Sequence, residues 1–482
     1  MKYFFPSFYL CLILCSCRQY PVIHSKPNIL FILADDWSYP YVGYAGWTDV
    51  SLPHLDSLSA HGSVFHHAFC AVPSCTPSRS ALLTGRYPHN LGEAINLCGR
   101  LDASIPTYVQ ILKKAGYAVA FDRKGWAPGD YHKMGYYENP CGVQVPFTRF
   151  LDSVPQGQPF FFWFGTHDPH RPFDGDSTLS SRQQDLAIPG FLPDHPQVRQ
   201  DLAGYYAEIK RLDQDVKLLI DELTSRRLLE NTIIVITSDN GMPFPHAKAN
   251  LYDYGTRVPL IITGPQQGIP CGKHFYELVN LLDLTPTFLD WAQVETKPEM
   301  DGESLLPLLA GHPSSGRTAV YLERERHCLA REDLDFGAGY PMRAVRTAEY
   351  VYIRNFNPER WPGGDEFIPG TPSVFGDVDG GLTKMYIMDH RHETAVAPHF
   401  QWGFGRRPEI ELYAVKKDPY NLLNLADSSA YQTVKDSLAG LLNAWMIETN
   451  DPRRAGGGAE IDLFETTSRA WITRDGSILL DN

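Results

Sequence analysis

A chain of 482 residues with 43% hydrophobic and 21% charged content has the balance of a folded protein, with length enough for one large domain and a smaller one. Its 43 basic against 56 acidic residues give a formal charge of −13, which argues against a nucleic-acid surface and leaves any anion binding to a local cluster. Three of the nine cysteines fall in the first 17 residues; the other six, Cys70, Cys75, Cys98, Cys141, Cys271 and Cys328, make no disulfide scaffold and show no CxxC metal spacing, although a Cys98–Cys141 bridge stays open.

Residues 1–17, MKYFFPSFYLCLILCSC, combine one lysine, an apolar run too short for a comfortable membrane span, and small residues. This is the pattern of an export signal, so the chain is expected outside the cytoplasm, in the periplasm if the source is bacterial. Leu14-Cys15-Ser16-Cys17 also resembles a bacterial lipobox. Cys17 would then carry a lipid as the first mature residue, the chain's one link to a membrane, with ordinary cleavage nearby as the alternative.

Short apolar runs follow at 28–35 (NILFILAD), 117–122 (YAVAFD), 159–165 (PFFFWFG), 232–239 (TIIVITSD) and 258–263 (VPLIIT). Their continuous apolarity predicts strands buried on both faces, hence an α/β fold with a large, mostly parallel sheet. Between them, Leu202, Tyr205, Ile209, Leu212, Val216, Leu219 and Leu223 recur at intervals of three and four and predict a long amphipathic helix. Near 336 the pattern shifts to the alternating runs AVRTAEYVYIRN and IELYAV, with a loop rich in Pro and Gly at 357–374 and a helix at 430–448. The expected organisation is a catalytic unit at 26–335 and a smaller C-terminal α+β subdomain at 336–482 built on an antiparallel sheet.

Two predicted strands end in oxygen-bearing pairs, Asp35-Asp36 and Asp239-Asn240. Ligands of open α/β sheets bind at that edge, and four such side chains suit a hard divalent cation, Ca²⁺ before Mg²⁺. Either pair alone equally fits an aspartate ending a strand or capping a helix. Cys75 adds weight. Pro77 suits the first turn of a helix, which places Cys75 at a helix N-terminus with Arg79 one turn along on the same side, a nucleophile's position. A buried structural thiol is the alternative, and the polar company of Thr76, Ser78 and Arg79 argues against it.

Cys75-Thr76-Pro77-Ser78-Arg79 and the following SALLTGRYPHN resemble the signature of the formylglycine-dependent type I sulfatases, members of the alkaline phosphatase superfamily. PNILFILADDW, LPHLDSLSAHGSVFHHAF, TSDNG and ELYAVKKDPYNLLNL are similar to further blocks of that family in the same order. Within it, TSDNGMPFPHAKANLYDYGTRVPLI, LLDLTPTFLDW, HDPHR, YPMR and ETNDP look most like the heparan N-sulfatases.

The resemblance implies an alkaline-phosphatase-like fold and a sulfatase acting on a sulfated oligosaccharide, with the N-sulfate of glucosamine in heparin or heparan sulfate fragments foremost. It implies that a formylglycine-generating maturase oxidises Cys75 to an aldehyde, whose hydrate attacks sulfur and expels sulfate on collapse. By motif position Asp35, Asp36, Asp239 and Asn240 would hold Ca²⁺ with modified Cys75, while Arg79, Lys124 and Lys248 would stabilise the transferring sulfate and His167 would protonate the leaving group. Asp168 either orients a neighbouring base or meets substrate, and His170 and Arg171 either meet substrate or cap their loop. Arg343 and Arg346 are read as glycan contacts or interdomain salt bridges, and Glu325 and His327 as sugar contacts or a solvated charge run. Where many relatives carry a second histidine two residues after the catalytic lysine, this chain has Trp126, a sugar platform or a packed aromatic. An O-sulfatase, a phosphomonoesterase or phosphonate hydrolase, and an exported glycan-binding protein without turnover are the competing readings.

Overall fold

The computed structural model describes residues 26–173, 183–294, 299–312, 316–332, 337–369, 374–472 and 478–481. The expected export signal and Cys17 lie outside the described residues, among which no helix is long and apolar enough to cross a membrane.

Eight strands form the large sheet: β1 (Asn28–Ala34), β2 (Ser63–Phe69), β3 (Ala118–Arg123), β4 (Val143–Gln144), β5 (Phe160–Gly165), β6 (Thr232–Ser238), β7 (Arg257–Thr263) and β8 (Lys273–Asn280). They lie in the order β4-β3-β5-β1-β6-β7-β2-β8, and β7 alone runs against its neighbours. The continuous apolar runs are buried along their length in β1, β5 and β6, because apolar clusters cover both faces of the sheet. One cover is the helix Pro196–Ser225, which buries all seven residues of the predicted apolar stripe. Each large apolar side chain taken fully out of water contributes about 1.5–3 kcal/mol. β8 gives no such signal in the sequence, since its first half alternates between solvent and core at the sheet edge.

The small sheet is fully antiparallel, in the order β12-β11-β10-β9, from β9 (Ala319–Arg324), β10 (Met342–Thr347), β11 (Tyr350–Asn355) and β12 (Ile410–Ala414). It therefore takes its first strand from before position 336, where the composition shifts. Glu323 and Arg324 disguise that strand, because both are charged and both are buried. Leu438, Leu442, Trp445 and Met446 of the helix Gln432–Glu448 pack on one face with Val345, Tyr352 and Leu412. The other face meets Phe69, Leu251 and Leu278 of the large unit, so the small sheet is covered on both sides. A final hairpin joins β13 (Arg469–Ile472) to β14 (Ile478–Asp481). All six described cysteines are free, so Cys98 and Cys141 are not bridged.

Candidate active site

Four adjacent strands, β3, β5, β1 and β6, each end in a residue that carries chemistry: Lys124, His167, Asp35-Asp36 and Asp239-Asn240. Parallel strands bring their carboxyl ends to one edge, which places these side chains together although the chain separates them widely. Gly165 makes the approach possible, since a Cβ there would lie 1.7 Å from the Lys124 carbonyl oxygen. Asp36 adopts φ 75°, a left-handed conformation that aspartate tolerates better than most residues.

Cys75 opens the helix Cys75–Thr84, every residue of which is buried. The helix stops at Gly85, whose φ of 70° lets its N–H donate to the Ala81 carbonyl. Cys75 and Arg79 converge on one atom: Asp35 Oδ1 lies 3.4 Å from Cys75 Sγ and 3.6 Å from Arg79 Nη2. Arg79 Nε donates to Asp239 Oδ2 at 2.8 Å, and Nη1 donates to the carbonyl oxygens of Lys124 and Gly125, so the guanidinium is fixed. Lys124 Nζ pairs with Asp35 Oδ2, and Lys248 Nζ donates to Asp36 Oδ2 at 2.8 Å.

The carboxylates and thiol of Asp35, Asp36, Asp239 and Cys75 bring one ligand atom each within 4.8 Å of one another. Burial, reinforced by Asp35 and Asp379, raises Asp36 to about 7, and burial with Asp35 raises Asp239 to about 6 despite Arg79. Burial would raise Asp35 too, but Lys124, His170 and Arg79 hold it well below the usual range. Asn240 donates its amide to Asp36 Oδ1 at 2.6 Å, while its Oδ1 is buried with no partner among the described residues. Crowded carboxylate oxygens and an orphaned amide oxygen are the donor set of a hard cation, so the residues present fit a divalent metal. Burial and Asp35 push the Cys75 thiol well above its ordinary range, which makes an unmodified thiol a poor nucleophile here.

His167 is the exposed residue of the group, and partial burial with Lys124 nearby lowers its pKa. His170 Nδ1 lies 2.6 Å from the Arg171 carbonyl oxygen and so carries the proton. Burial and then Lys248 hold its pKa at about 4, leaving a neutral ring whose Nε2 lone pair sits 3.7 Å from Asp36 Oδ2. Arg171 is a loop clamp, paired bidentately with Asp201 at 2.7 Å. Asp168 accepts from Arg211 at 2.7 Å, an orienting contact. His327 is buried with Nδ1 2.8 Å from the Ser74 hydroxyl, beside Cys75, so it belongs to the site's wall and not to a solvated strand.

Three other expected sugar contacts are occupied elsewhere. Arg343 Nε donates to Asp451 at 2.6 Å and Nη1 pairs with Glu325 at 2.9 Å, and Glu325 also accepts from Arg453. Arg346 grips Asp253 through two 2.8 Å bonds. With both faces of the small sheet covered, a charged side chain on β10 must find a buried partner, which corrects the glycan reading of Arg343, Arg346 and Glu325 in favour of salt bridges. Arg343→Ala is expected to cost about 3–5 kcal/mol in urea unfolding while leaving kcat/KM per folded molecule unchanged. Trp126 is likewise a packed aromatic, 1% exposed, with Nε1 donating to Ser80 Oγ at 2.9 Å. The sequence reading missed Asp379, whose carboxylate lies 3.3 Å from Lys248 Nζ.

A mostly parallel sheet with a buried cysteine opening a helix, and with buried Arg and Lys side chains and a carboxylate cluster at its carboxyl edge, has the alkaline-phosphatase-like architecture. Residues 27–294 match the sulfatase family model and residues 245–361 match the model for the C-terminal part of N-sulphoglucosamine sulphohydrolase. The chain belongs to the sulfatase family, and it is a sulfuric ester or sulfamide hydrolase. It is 29% identical to the N-sulphoglucosamine sulphohydrolase of Homo sapiens, over 92% of this chain and 93% of that one. It is also 29% identical to an ulvan-active sulfatase of Formosa agariphila, over 89% and 82% of the two chains. Among solved structures, one held with its substrate D-glucosamine-2-N,6-O-disulfate superimposes with a TM-score of 0.65 at 18% identity, covering 89% of this chain and 99% of that one.

Proposed function

We propose that this protein removes sulfate from sulfated glycans, and in particular the N-sulfate of glucosamine in heparin or heparan sulfate fragments. The observation that supports the N-sulfate reading is the match of residues 245–361, a stretch that carries Lys248 and His327 of the site wall, to the N-sulphoglucosamine sulphohydrolase model. Asp35, Asp36, Asp239 and Asn240 would hold Ca²⁺ together with Cys75 converted to formylglycine. When bound, these groups supply a polarised sulfate and a hydroxyl nucleophile in place of the thiol.

The rest is the work of this chain's own side chains. Arg79, Lys124 and Lys248 are already fixed by carboxylates and carbonyls, so they meet the sulfate oxygens without reorganising. Each such preorganised donor is worth roughly 3 kcal/mol in the transition state. His167, exposed beside Lys124, gives a proton to the departing nitrogen or oxygen. With Trp126 locked in the core, leaving-group protonation rests more heavily on His167. The organisation into a unit at 26–335 and a C-terminal subdomain, with β9 lent to the latter's sheet, puts His327 and Asp379 against a site built by the larger sheet. Export through residues 1–17, with Cys17 lipidated, would put the enzyme where a polysaccharide meets it.

Equal identity to an ulvan-active sulfatase supports O-desulfation as the second reading. A panel of N-, 2-O-, 3-O-, 6-O- and 4-O-sulfated saccharides separates the two. N-desulfation is expected to lead by about tenfold or more in kcat/KM, within the range that pocket contacts provide. Turnover of an O-sulfate without release from nitrogen would overturn the substrate assignment and leave the sulfatase chemistry intact.

A further inference from the structure

Asp379 sits in the segment FGDVDGG, 375–381, which no motif in the sequence singles out. The segment is anchored on both flanks of the aspartate. Asp377 accepts from Arg324 at 2.6 Å, Arg331 at 2.7 Å and the Cys328 N–H at 2.7 Å. Lys384, itself buried, donates Nζ to the carbonyl oxygens of Phe375 at 3.1 Å and Val378 at 2.7 Å. So fixed, the segment delivers the Asp379 carboxylate to the sulfate end of the site, 3.3 Å from Lys248 Nζ. Asp379 is 6% exposed, and its buried Oδ2, the atom 3.3 Å from Lys248 Nζ, receives no well-aligned hydrogen bond among the described residues. Lys248 makes its shorter contact elsewhere, with Asp36.

A buried carboxylate held rigidly, with one loose ion pair as its compensation, keeps lone pairs that a ligand's donor can satisfy. Burial would raise Asp379, but Lys248, His170 and His327 bring it down to about 2, so the group is an anion whenever the enzyme works. A carboxylate cannot hold sulfate; it repels it. It accepts from O–H or N–H. A sugar sulfate carries such donors on the ring carbons that flank the sulfated one, close beside the group proposed to meet Lys248.

We infer that Asp379 is a specificity-determining carboxylate that accepts a hydrogen bond from a ring hydroxyl flanking the sulfated position, and so selects sugar sulfates over sulfate esters that lack this neighbour. The inference rests on the glycan reading above and names the feature of the glycan that is read. A site built to bond a substrate hydroxyl discriminates strongly against analogues without it, because its own polar group is then left unpaired. A structural role for Asp379, holding Lys248 in place, makes the opposite forecast for anions.

The test uses the mature holoenzyme and its Asp379→Ala and Asp379→Asn variants. Three quantities are read: kcat/KM on a sulfated glucosamine, kcat/KM on 4-nitrophenyl sulfate, and inhibition by inorganic sulfate. For Asp379→Ala the sugar sulfate is expected to lose about 10²-fold or more. The aryl ester should change by less than about threefold, and inorganic sulfate should inhibit as well or better, since a like charge beside the anion has gone. Asp379→Asn, which keeps an acceptor of the same shape, should fall between and guards against a folding defect in the alanine variant. Parallel losses on both substrates with weaker sulfate inhibition would overturn the inference and make Asp379 a positioning residue for Lys248. If the wild type ignores the aryl ester, sulfate inhibition alone decides between the two. A wild type that turns over no sugar sulfate at all would instead remove the glycan reading, an outcome visible before any variant is made.

Discussion

Replacing Cys75 by alanine is expected to abolish sulfate release, by about 10⁴-fold or more, and to leave the protein folded. The size of the effect follows from position. Cys75 Sγ and Arg79 Nη2 share Asp35 Oδ1, so the side chain at 75 stands where the carboxylate cluster, the guanidinium and Lys124 converge, and no other described nucleophile replaces it there. Stability changes little, because alanine fits the same buried helix turn and removes a thiol that burial and Asp35 already disfavour as an anion. Cys75→Ser tests the modification separately, since serine keeps a hydroxyl but not an aldehyde hydrate. A peptide carrying residue 75 from the active wild type should lie about 18 Da below its value with an unmodified cysteine, the difference between CH₂SH and CHO. Full activity in Cys75→Ala, or an unshifted mass in fully active enzyme, would remove the nucleophile from the account.

Stripping divalent cations with a chelator is expected to stop turnover and to lower the melting temperature more at pH 8 than at pH 5. In the cation-free protein Asp36 is raised to about 7 and Asp239 to about 6, chiefly by burial. Both values exceed the ordinary carboxylate pKa near 4, so between about pH 4 and 7 the folded state binds protons that the unfolded state has released. Stability of the cation-free form therefore falls as pH rises through that window and recovers as pH falls. The span is on the order of a few kcal/mol. Added Ca²⁺ compensates the same carboxylates, so it should raise the melting temperature most at pH 8, and at lower concentration than Mg²⁺ does. A melting temperature indifferent to chelator at both pH values would contradict the cation site.

The large sheet and the core of its site were legible in the sequence for a shared physical reason. Strands buried on both faces must be apolar throughout, so an aspartate at the end of such a run stands out, as Asp35 and Asp239 do, whereas Lys124 follows Asp122 and Arg123 on a half-buried strand and was legible only through the family resemblance. Cys75 was legible through Pro77 and Arg79, which fix a helix start and a facing cation. The small sheet hid its charges. Arg343, Arg346 and Glu323 lie on strands, with Glu325 just past the end of β9, in runs that look half solvated, whereas packing on both faces drives them into ion pairs that a linear pattern cannot distinguish from ligand contacts. Asp379 was invisible for a related reason. It belongs to a glycine-rich turn with no periodicity, and only the fold carries that turn from the C-terminal part of the chain to Lys248.

The helix that begins at Cys75 has no solvent-facing side, and Cys75 itself is 2% exposed. A separate enzyme that oxidised Cys75, as proposed, would need to reach the thiol, and the folded protein does not offer it. Oxidation would then precede folding, with cation loading afterwards. A molecule that folded first would stay in the thiol state for as long as it remained folded, so on this proposal the active fraction of a preparation would be decided during synthesis.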